Sequence, residues 1–79
     1  MAELRDELRE VIAEVGELDD PGTVTDTADL FEELGLDSMQ TLEIVLEIER
    51  RFDLSVPEEK LREIRTLDDA VRIAKELGA

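Results

Sequence analysis

The sequence predicts an all-α protein, a small four-helix bundle with three longer helices, one short helix and a long loop between the first two helices. Apolar residues recur at three- and four-residue spacing in three stretches of the chain, which is the period of helices that bury one face. No stretch alternates apolar and polar residues as a half-buried strand does. Because 79 residues provide surface for only one core, residues 1–79 are expected to form a single domain.

The first helix is predicted over Ala2–Val15, with Gly16 ending it in a left-handed conformation. Residues 17–36 have poor periodicity and contain a Pro-Gly pair, so they are predicted to be a long connection with a helical turn near residues 30–34. Connections of this length in a small domain are usually functional or cover an edge of the core. The predicted apolar face of the first helix contains Leu4, Leu8, Val11, Ile12 and Val15.

The second helix is expected to begin at Asp37, because aspartate is a favoured N-cap residue and Gln40 stands where it can complete a capping box. It is predicted to end at Arg51 or Phe52. Residues 53–56 form a linker, and Pro57 with the two glutamates that follow suits the first turn of a short third helix.

Thr66 and Asp69 suit a capping pair at the start of a fourth helix, and Gly78 is expected to end that helix. An apolar face at helical spacing follows the predicted cap. Its members, all predicted to be buried, are Leu67, Ala70, Val71, Ala74 and Leu77.

The apolar surface of the second helix is wider than packing against one core requires. Its apolar residues sweep an arc of roughly 220°, compared with about 100° for an ordinary surface helix. The side predicted to face the core contains Ile44, Val45, Ile48 and Phe52. Met39, Leu42 and Leu46 form the other edge, next to Glu43, and are predicted to be an exposed partner surface. The alternative is a central helix whose whole arc is buried by its neighbours.

The chain is strongly acidic, with a formal net charge of −14 and no lysine or arginine from Val11 through Glu49. The electrostatic field of so acidic a chain repels nucleic-acid phosphates and anionic lipid headgroups and attracts basic protein surfaces. We therefore expect no nucleic-acid partner and no membrane partner. The chain has no cysteine and no apolar run as long as a signal peptide needs, so a cytoplasmic location is expected.

The acidic segment around Pro21 and Gly22 raises the alternative of a calcium-binding loop. If Gly22 is taken as the turn glycine of an EF-hand loop, Pro21 falls on a ligand position and Ala28 falls where the bidentate glutamate is required. No metal site is therefore predicted.

Ser38 is the candidate for covalent chemistry. The chain has no Cys, His, Tyr or Trp, so it has no histidine to act as a base, and the neighbouring carboxylates disfavour an alkoxide. A phosphate ester on this hydroxyl would be stabilised by the helix start. Another enzyme is therefore expected to modify Ser38. The simpler interpretation is that the serine only suits a helix start.

The segment Leu34–Met39, together with Leu42–Val45, Glu47–Phe52 and Val56–Glu59, resembles the discrete (type II) bacterial acyl carrier proteins. The resemblance implies a carrier domain with no enzymatic activity of its own. It also implies that Ser38 bears a 4'-phosphopantetheine arm, transferred from coenzyme A by a phosphopantetheinyl transferase. Acyl groups would then be carried as thioesters on the thiol of the arm.

The resemblance further implies a monomer that docks on basic surfaces of ketosynthases, acyltransferases or acyl-activating enzymes. The positions that match the family's docking residues are Asp37, Met39, Leu42, Glu43, Leu46, Glu49 and Val56. A cavity between the second and fourth helices would limit the cargo, and its candidate lining residues are Phe31, Ile48, Ile64 and Ala70, for which ordinary core packing is the alternative.

Two departures from the family pattern bear on the pathway. Gln40 stands where fatty-acid carriers usually have an acid, and Arg50-Arg51 replaces an acidic end of the second helix. Because reversed charge at an interface weakens binding to a basic partner, a polyketide or other specialised pathway is favoured over fatty-acid synthesis. Peptidyl carriers have a Gly-Gly-(His/Asp)-Ser pattern, and this chain has Leu36 where the second glycine would be. This difference argues against a peptidyl carrier. A D-alanyl or aminoacyl carrier, and a non-carrier acidic interaction module, remain alternatives.

Overall fold

The computed structural model describes residues 3–79 and contains four α-helices. Within that part of the chain there is no strand, so the predicted all-α class is confirmed. The predicted start of the first helix at Ala2 lies outside the described residues, and the helix there begins at Leu4. The helices are α1 (Leu4–Val15), α2 (Ser38–Phe52), α3 (Glu58–Leu61) and α4 (Leu67–Glu76), with one turn of 3₁₀-helix at Pro21–Thr23.

The core lies between α1, α2 and α4, and α1 packs against both of the others. On α2, Ile44, Val45 and Ile48 are buried as predicted, whereas Phe52 is only partly buried. On α4, the prediction is wrong for Leu77, which is the C-cap residue and is only partly buried, and it missed Ile73. The largest fully buried side chains are Leu8, Ile12, Leu30, Ile44, Leu67 and Ile73.

Gly16 ends α1, but not in the predicted way. Its φ is −79°, and the left-handed residue is Glu17, with φ 54°. A Cβ atom on Gly16 would lie 2.7 Å from Cδ2 of Leu36. Because real Cβ contacts are not that short, a larger residue here would push the Leu36 side chain aside. The end of the long loop is thereby packed directly against the end of α1.

The long loop covers an edge of the core and is fastened to α1 and α4. Arg9 Nε donates to the carbonyl oxygen of Val24 over 2.9 Å, and Arg9 and Arg5 both pair with Oδ1 of Asp26 at 3.1 Å. Val24 is buried beneath these contacts. The predicted helical turn at residues 30–34 is present, closed by hydrogen bonds from the backbone of residues 33 and 34 to the carbonyl of residue 29.

The helix starts follow the predicted caps. Thr66 and Asp69 form a capping box at α4, in which Thr66 Oγ1 accepts from the Asp69 amide over 3.1 Å. Pro57 is the N-cap residue of α3 and precedes its first turn. Past α4, Gly78 has φ 111°, a conformation that other residues rarely adopt. In the described part of the chain, no helix has the length and apolar character needed to cross a membrane.

Candidate attachment site at the start of the second helix

Ser38 is the first residue of α2, and its side chain is exposed. The cap of this helix is Asp37, whose Oδ1 accepts a 2.8 Å hydrogen bond from the Gln40 amide. Gln40 returns a hydrogen bond, because its Oε1 accepts from the Asp37 amide over 3.1 Å. The predicted capping box is confirmed. Since the capping box already satisfies the backbone amides of Asp37 and Gln40, the Ser38 hydroxyl is not needed as the cap.

The residues on either side hold Ser38 in place. Gly35 is left-handed, with φ 73°, and lets the chain turn so that the Leu36 amide donates to the Leu30 carbonyl over 2.9 Å. Leu36 is 5% exposed and packs against Gly16. Buried Thr41 donates from Oγ1 to the Asp37 carbonyl over 3.1 Å. An exposed hydroxyl therefore stands on a backbone that is fixed from both sides.

Beyond Ser38, α2 presents an exposed apolar face made of Met39, Leu42 and Leu46. Their exposed fractions are 65%, 39% and 54%, so the alternative of a central helix with a fully buried arc is wrong. Glu43 lies exposed on the same stretch of the helix. Monomeric proteins seldom expose several large apolar side chains together without a binding function.

Three other residues predicted to contact partners also make contacts within the fold. Asp37 is the helix cap. Glu49 accepts a 2.7 Å hydrogen bond from the Val56 amide through Oε2, so it fastens the linker after α2. Val56 is partly buried against the core. A role of these residues in docking stays a prediction.

The arginines at the end of α2 are partly neutralised by Glu47. Both Arg50 and Arg51 donate to the Glu47 carboxylate, and Arg51 lies 3.4 Å from Glu14 of α1. The hydrogen bond from Arg50, followed by that from Arg51, lowers the pKa of Glu47 below its usual value. The reversed charge noted in the sequence therefore belongs to a cluster of ion pairs within the chain, in which the Arg50 side chain is still 76% exposed.

A cavity of about 280 Å³ opens beside Ser38, between α2 and the segment that contains α3 and the loop after it. Phe31 and Ile64 line it as predicted. The expectation for Ile48 and Ala70 is wrong, because both are buried in the core, away from this cavity. The lining residues are Phe31, Ser38, Thr41, Leu42, Leu61, Arg62, Ile64 and Arg65.

Residues 6–74 match the family described as a phosphopantetheine attachment site. The chain belongs to the acyl carrier protein family. It is 36% identical to an acyl carrier protein of Phenylobacterium zucineum over the full length of both chains. It is 32% identical to an acyl carrier protein of Brachyspira hyodysenteriae, with 92% of this chain and 94% of that protein aligned. It is also 48% identical to the anthracycline acyl carrier protein DauA of Streptomyces sp. (strain C5), over 84% of this chain and 75% of that protein.

Membership of the acyl carrier protein family establishes the general chemistry of this chain. The domain of this family is the attachment site of 4'-phosphopantetheine, and its members carry acyl groups for synthases and transferases without being enzymes themselves. The local structure fits such a group, because an exposed hydroxyl that is not used as the cap stands next to a cavity.

One wall of the carrier's cavity contains Phe31 and Arg65, and Asp29, which does not line the cavity, holds both in place. Arg65 donates to Oδ2 of Asp29 from Nε over 3.0 Å, and its guanidinium lies 5.1 Å from the centre of the Phe31 ring. Asp29 Oδ1 accepts from the amides of Phe31 and Glu32 over 2.9 Å each. The hydrogen bond from the Glu32 amide, followed by that from Arg65, lowers the pKa of Asp29 below its usual value of 3.8.

The lowered pKa of Asp29 predicts a pH-dependent contribution to stability. Its native pKa is below the unfolded value, so the contribution is present above the unfolded pKa and is lost as the pH falls through the native pKa. Asp29→Asn should therefore lower the urea midpoint relative to the parent chain at neutral pH, and the difference should shrink below about pH 4. The control Asp19→Asn removes the same charge from an exposed position. A difference for Asp29→Asn that stays constant down to the acid limit would contradict the prediction.

Sequence reasoning missed Thr41 of α2 as a lining residue of the cavity, and it missed three lining residues further along the chain, Leu61, Arg62 and Arg65. Their segment is a four-residue helix followed by a short loop, which is too short to show a helical period. The sequence feature that could have indicated these residues is the pair of arginines on either side of Ile64, which is buried. They place a positive charge on each side of a residue that packs into the core.

Proposed function

We propose that residues 1–79 form a single, monomeric carrier domain in which Ser38 bears the 4'-phosphopantetheine arm. A phosphopantetheinyl transferase would join Ser38 Oγ to the phosphorus that bears the pantetheine of coenzyme A. The pyrophosphate bond would break, adenosine 3',5'-bisphosphate would leave and the hydroxyl proton would pass to a base of the transferase. The observation that carries the proposal is the exposed Ser38 hydroxyl at a helix start that Asp37 caps.

The test of this proposal is intact mass spectrometry of the purified chain after incubation with coenzyme A and a transferase of broad specificity. We expect a gain of one phosphopantetheinyl group, and fragmentation that locates it on Ser38. A chain that gains no mass under conditions that fully modify another carrier would overturn the assignment.

We infer that the acyl cargo is an intermediate of polyketide biosynthesis or of a related specialised biosynthesis. We also infer that this biosynthesis takes place in the cytoplasm. The similarity to an anthracycline carrier of Streptomyces supports this inference. The uncharged Gln40 beside the site and the arginines at the end of α2 support it further, because partner enzymes discriminate by charge at the rim of an interface. The test of this inference is to offer malonyl and long-chain acyl groups in competition for loading onto the modified chain. Preferred loading of the long-chain group would contradict the inference.

The partners are proposed to be ketosynthases, acyltransferases or acyl-activating enzymes with a basic patch around an apolar pocket. The exposed apolar face supports this choice because it supplies anchor side chains within an acidic surround. Apolar anchors give affinity at the centre of such interfaces, while rim charges steer the encounter.

Leu46→Ala is expected to weaken docking without weakening the fold. Leu46 is 54% exposed, so truncation removes contacts with the partner and few contacts within the chain. A loss of about 1–2 kcal/mol of binding free energy, or roughly 5- to 30-fold in Kd, is typical for an interface anchor. Titration calorimetry with the cognate ketosynthase or transferase measures the loss. Unchanged affinity would remove Leu46 from the interface.

A further inference from the structure

Two arginines line the same cavity as Ser38, which is unusual for so acidic a chain. From Val11 through Glu49 there is no lysine or arginine, so the cations near Ser38 must come from elsewhere in the sequence. The loop after α3 brings them there, since Arg62 and Arg65 share the cavity with Ser38. An anion attached to the Ser38 hydroxyl would therefore have positive charge within the same small space.

The two arginines differ in how their charges are compensated. Arg65 is held by Asp29, with Nη2 and Nε at 2.9 and 3.0 Å from Oδ2, and it lies over the ring of Phe31. Arg62 has a looser partner, because its Nη2 is 3.6 Å from Glu58 Oε1, which is longer than a hydrogen bond. The Arg62 and Glu58 side chains are 79% and 82% exposed. An exposed pair of this kind contributes little, so Arg62 can exchange Glu58 for another anion at small cost.

The rest of the cavity is suited to a ligand that is apolar in part. Its walls include the side chains of Phe31, Leu42, Leu61 and Ile64. A phosphopantetheine arm begins with an anionic phosphodiester, continues with a gem-dimethyl group and then carries two amides. The anionic end would lie at Ser38, and the apolar portion next to it matches these walls.

We propose that Arg62 is the counter-ion of the phosphodiester on Ser38 and holds the first part of the arm against this cavity. The proposal rests on the proposed attachment at Ser38. Arg65, paired with Asp29 and lying on Phe31, acts as a fixed wall, whereas Arg62 moves from Glu58 to the phosphate. The arm is thereby kept on the protein when no partner is bound, although the phosphate contact is exposed and so remains reversible.

The test is nuclear Overhauser spectroscopy of the modified protein with an isotope-labelled arm. In the parent chain we expect cross-peaks from the gem-dimethyl group of the arm to the methyl groups of Leu61 and Ile64. Arg62→Gln should reduce them about twofold, the change expected from losing one exposed ion pair. Arg62→Lys should retain most of the intensity, because the charge is kept.

The matched control is Arg50→Gln, which removes the same charge from an exposed arginine of α2. Arg50 follows Ser38 by 12 residues, about 18 Å along the helix. Equal losses in Arg50→Gln and Arg62→Gln would overturn the contact, since they would reflect only net charge. Absence of cross-peaks in the parent chain would also overturn it.

The experiment separates this proposal from the proposed function. Intact mass first establishes that the arm is attached to Ser38 in every sample. Failure of attachment would count against the carrier assignment itself. An attached arm without contacts to the cavity, or with contacts that Arg62→Gln leaves unchanged, would overturn only the role of Arg62.

Discussion

Ser38→Ala should abolish attachment of the phosphopantetheine arm and leave the fold intact. The variant removes the only atom to which the proposed phosphodiester can be joined at this helix start, so no partial activity is expected. Intact mass after incubation with coenzyme A and a transferase should show a complete loss of the added group. All acyl loading should be lost with it, because the thiol that carries the acyl group belongs to the arm.

The fold should tolerate this change because Asp37, not Ser38, is the helix cap. An exposed substitution away from such features usually changes the free energy of unfolding by less than about 0.5 kcal/mol. Ser55→Ala is the matched control, since Ser55 is also exposed and lies in the linker between α2 and α3. Modification that persists in Ser38→Ala but disappears in Ser55→Ala would show that the arm is attached to Ser55 and not to Ser38.

Ile44→Ala should cause a large loss of stability. Ile44 is 1% exposed and belongs to the core cluster formed by α1, α2 and α4. Truncating a buried isoleucine to alanine costs about 2–5 kcal/mol through lost burial and the cavity left behind. A chain of 79 residues has a free energy of unfolding of roughly 4–12 kcal/mol in total. The variant should therefore lose from about one sixth to all of its stability, and in a weakly stable chain it should be partly unfolded at 37 °C.

Urea denaturation followed by circular dichroism measures this loss, with Leu46→Ala as the control. Leu46 is two positions further along α2 and is 54% exposed, so the same kind of truncation should cost less than about 1 kcal/mol. Equal losses for the two variants would show that α2 is not oriented as described. Ile44→Ala should also leave attachment at Ser38 unchanged at temperatures where the chain stays folded.

The sequence predicted those parts of the fold that depend on local rules. Asp37 with Gln40, and Thr66 with Asp69, were recognisable capping pairs, and both boxes are formed. The exposed face of α2 was also predictable, because the apolar arc was wider than one core can bury. These features are determined by residues three or four positions apart, which a linear sequence displays directly.

Features that depend on contacts between distant residues were not predictable. Gly16 was expected to end α1 through a left-handed conformation, but its φ is −79° and the side chain of Leu36, 20 residues away, packs closely against it. The cavity was expected to reach Ile48 and Ala70, but the segment after α3 encloses it nearer to Ser38. Neither outcome has a local signal, since each depends on how the long loop and α3 are placed on the bundle.

Leu42 belongs to two surfaces at once, because it lines the cavity beside Ser38 and is 39% exposed on the apolar face of α2. A partner that covers Leu42 and an arm that lies in the cavity therefore compete for the same side chain. Binding free energies are reciprocal, so a partner that expels the arm must bind the chain less tightly when the arm is seated, by the same factor. On the proposed docking face and the proposed arm contacts, docking and displacement of the arm from the cavity form one linked equilibrium.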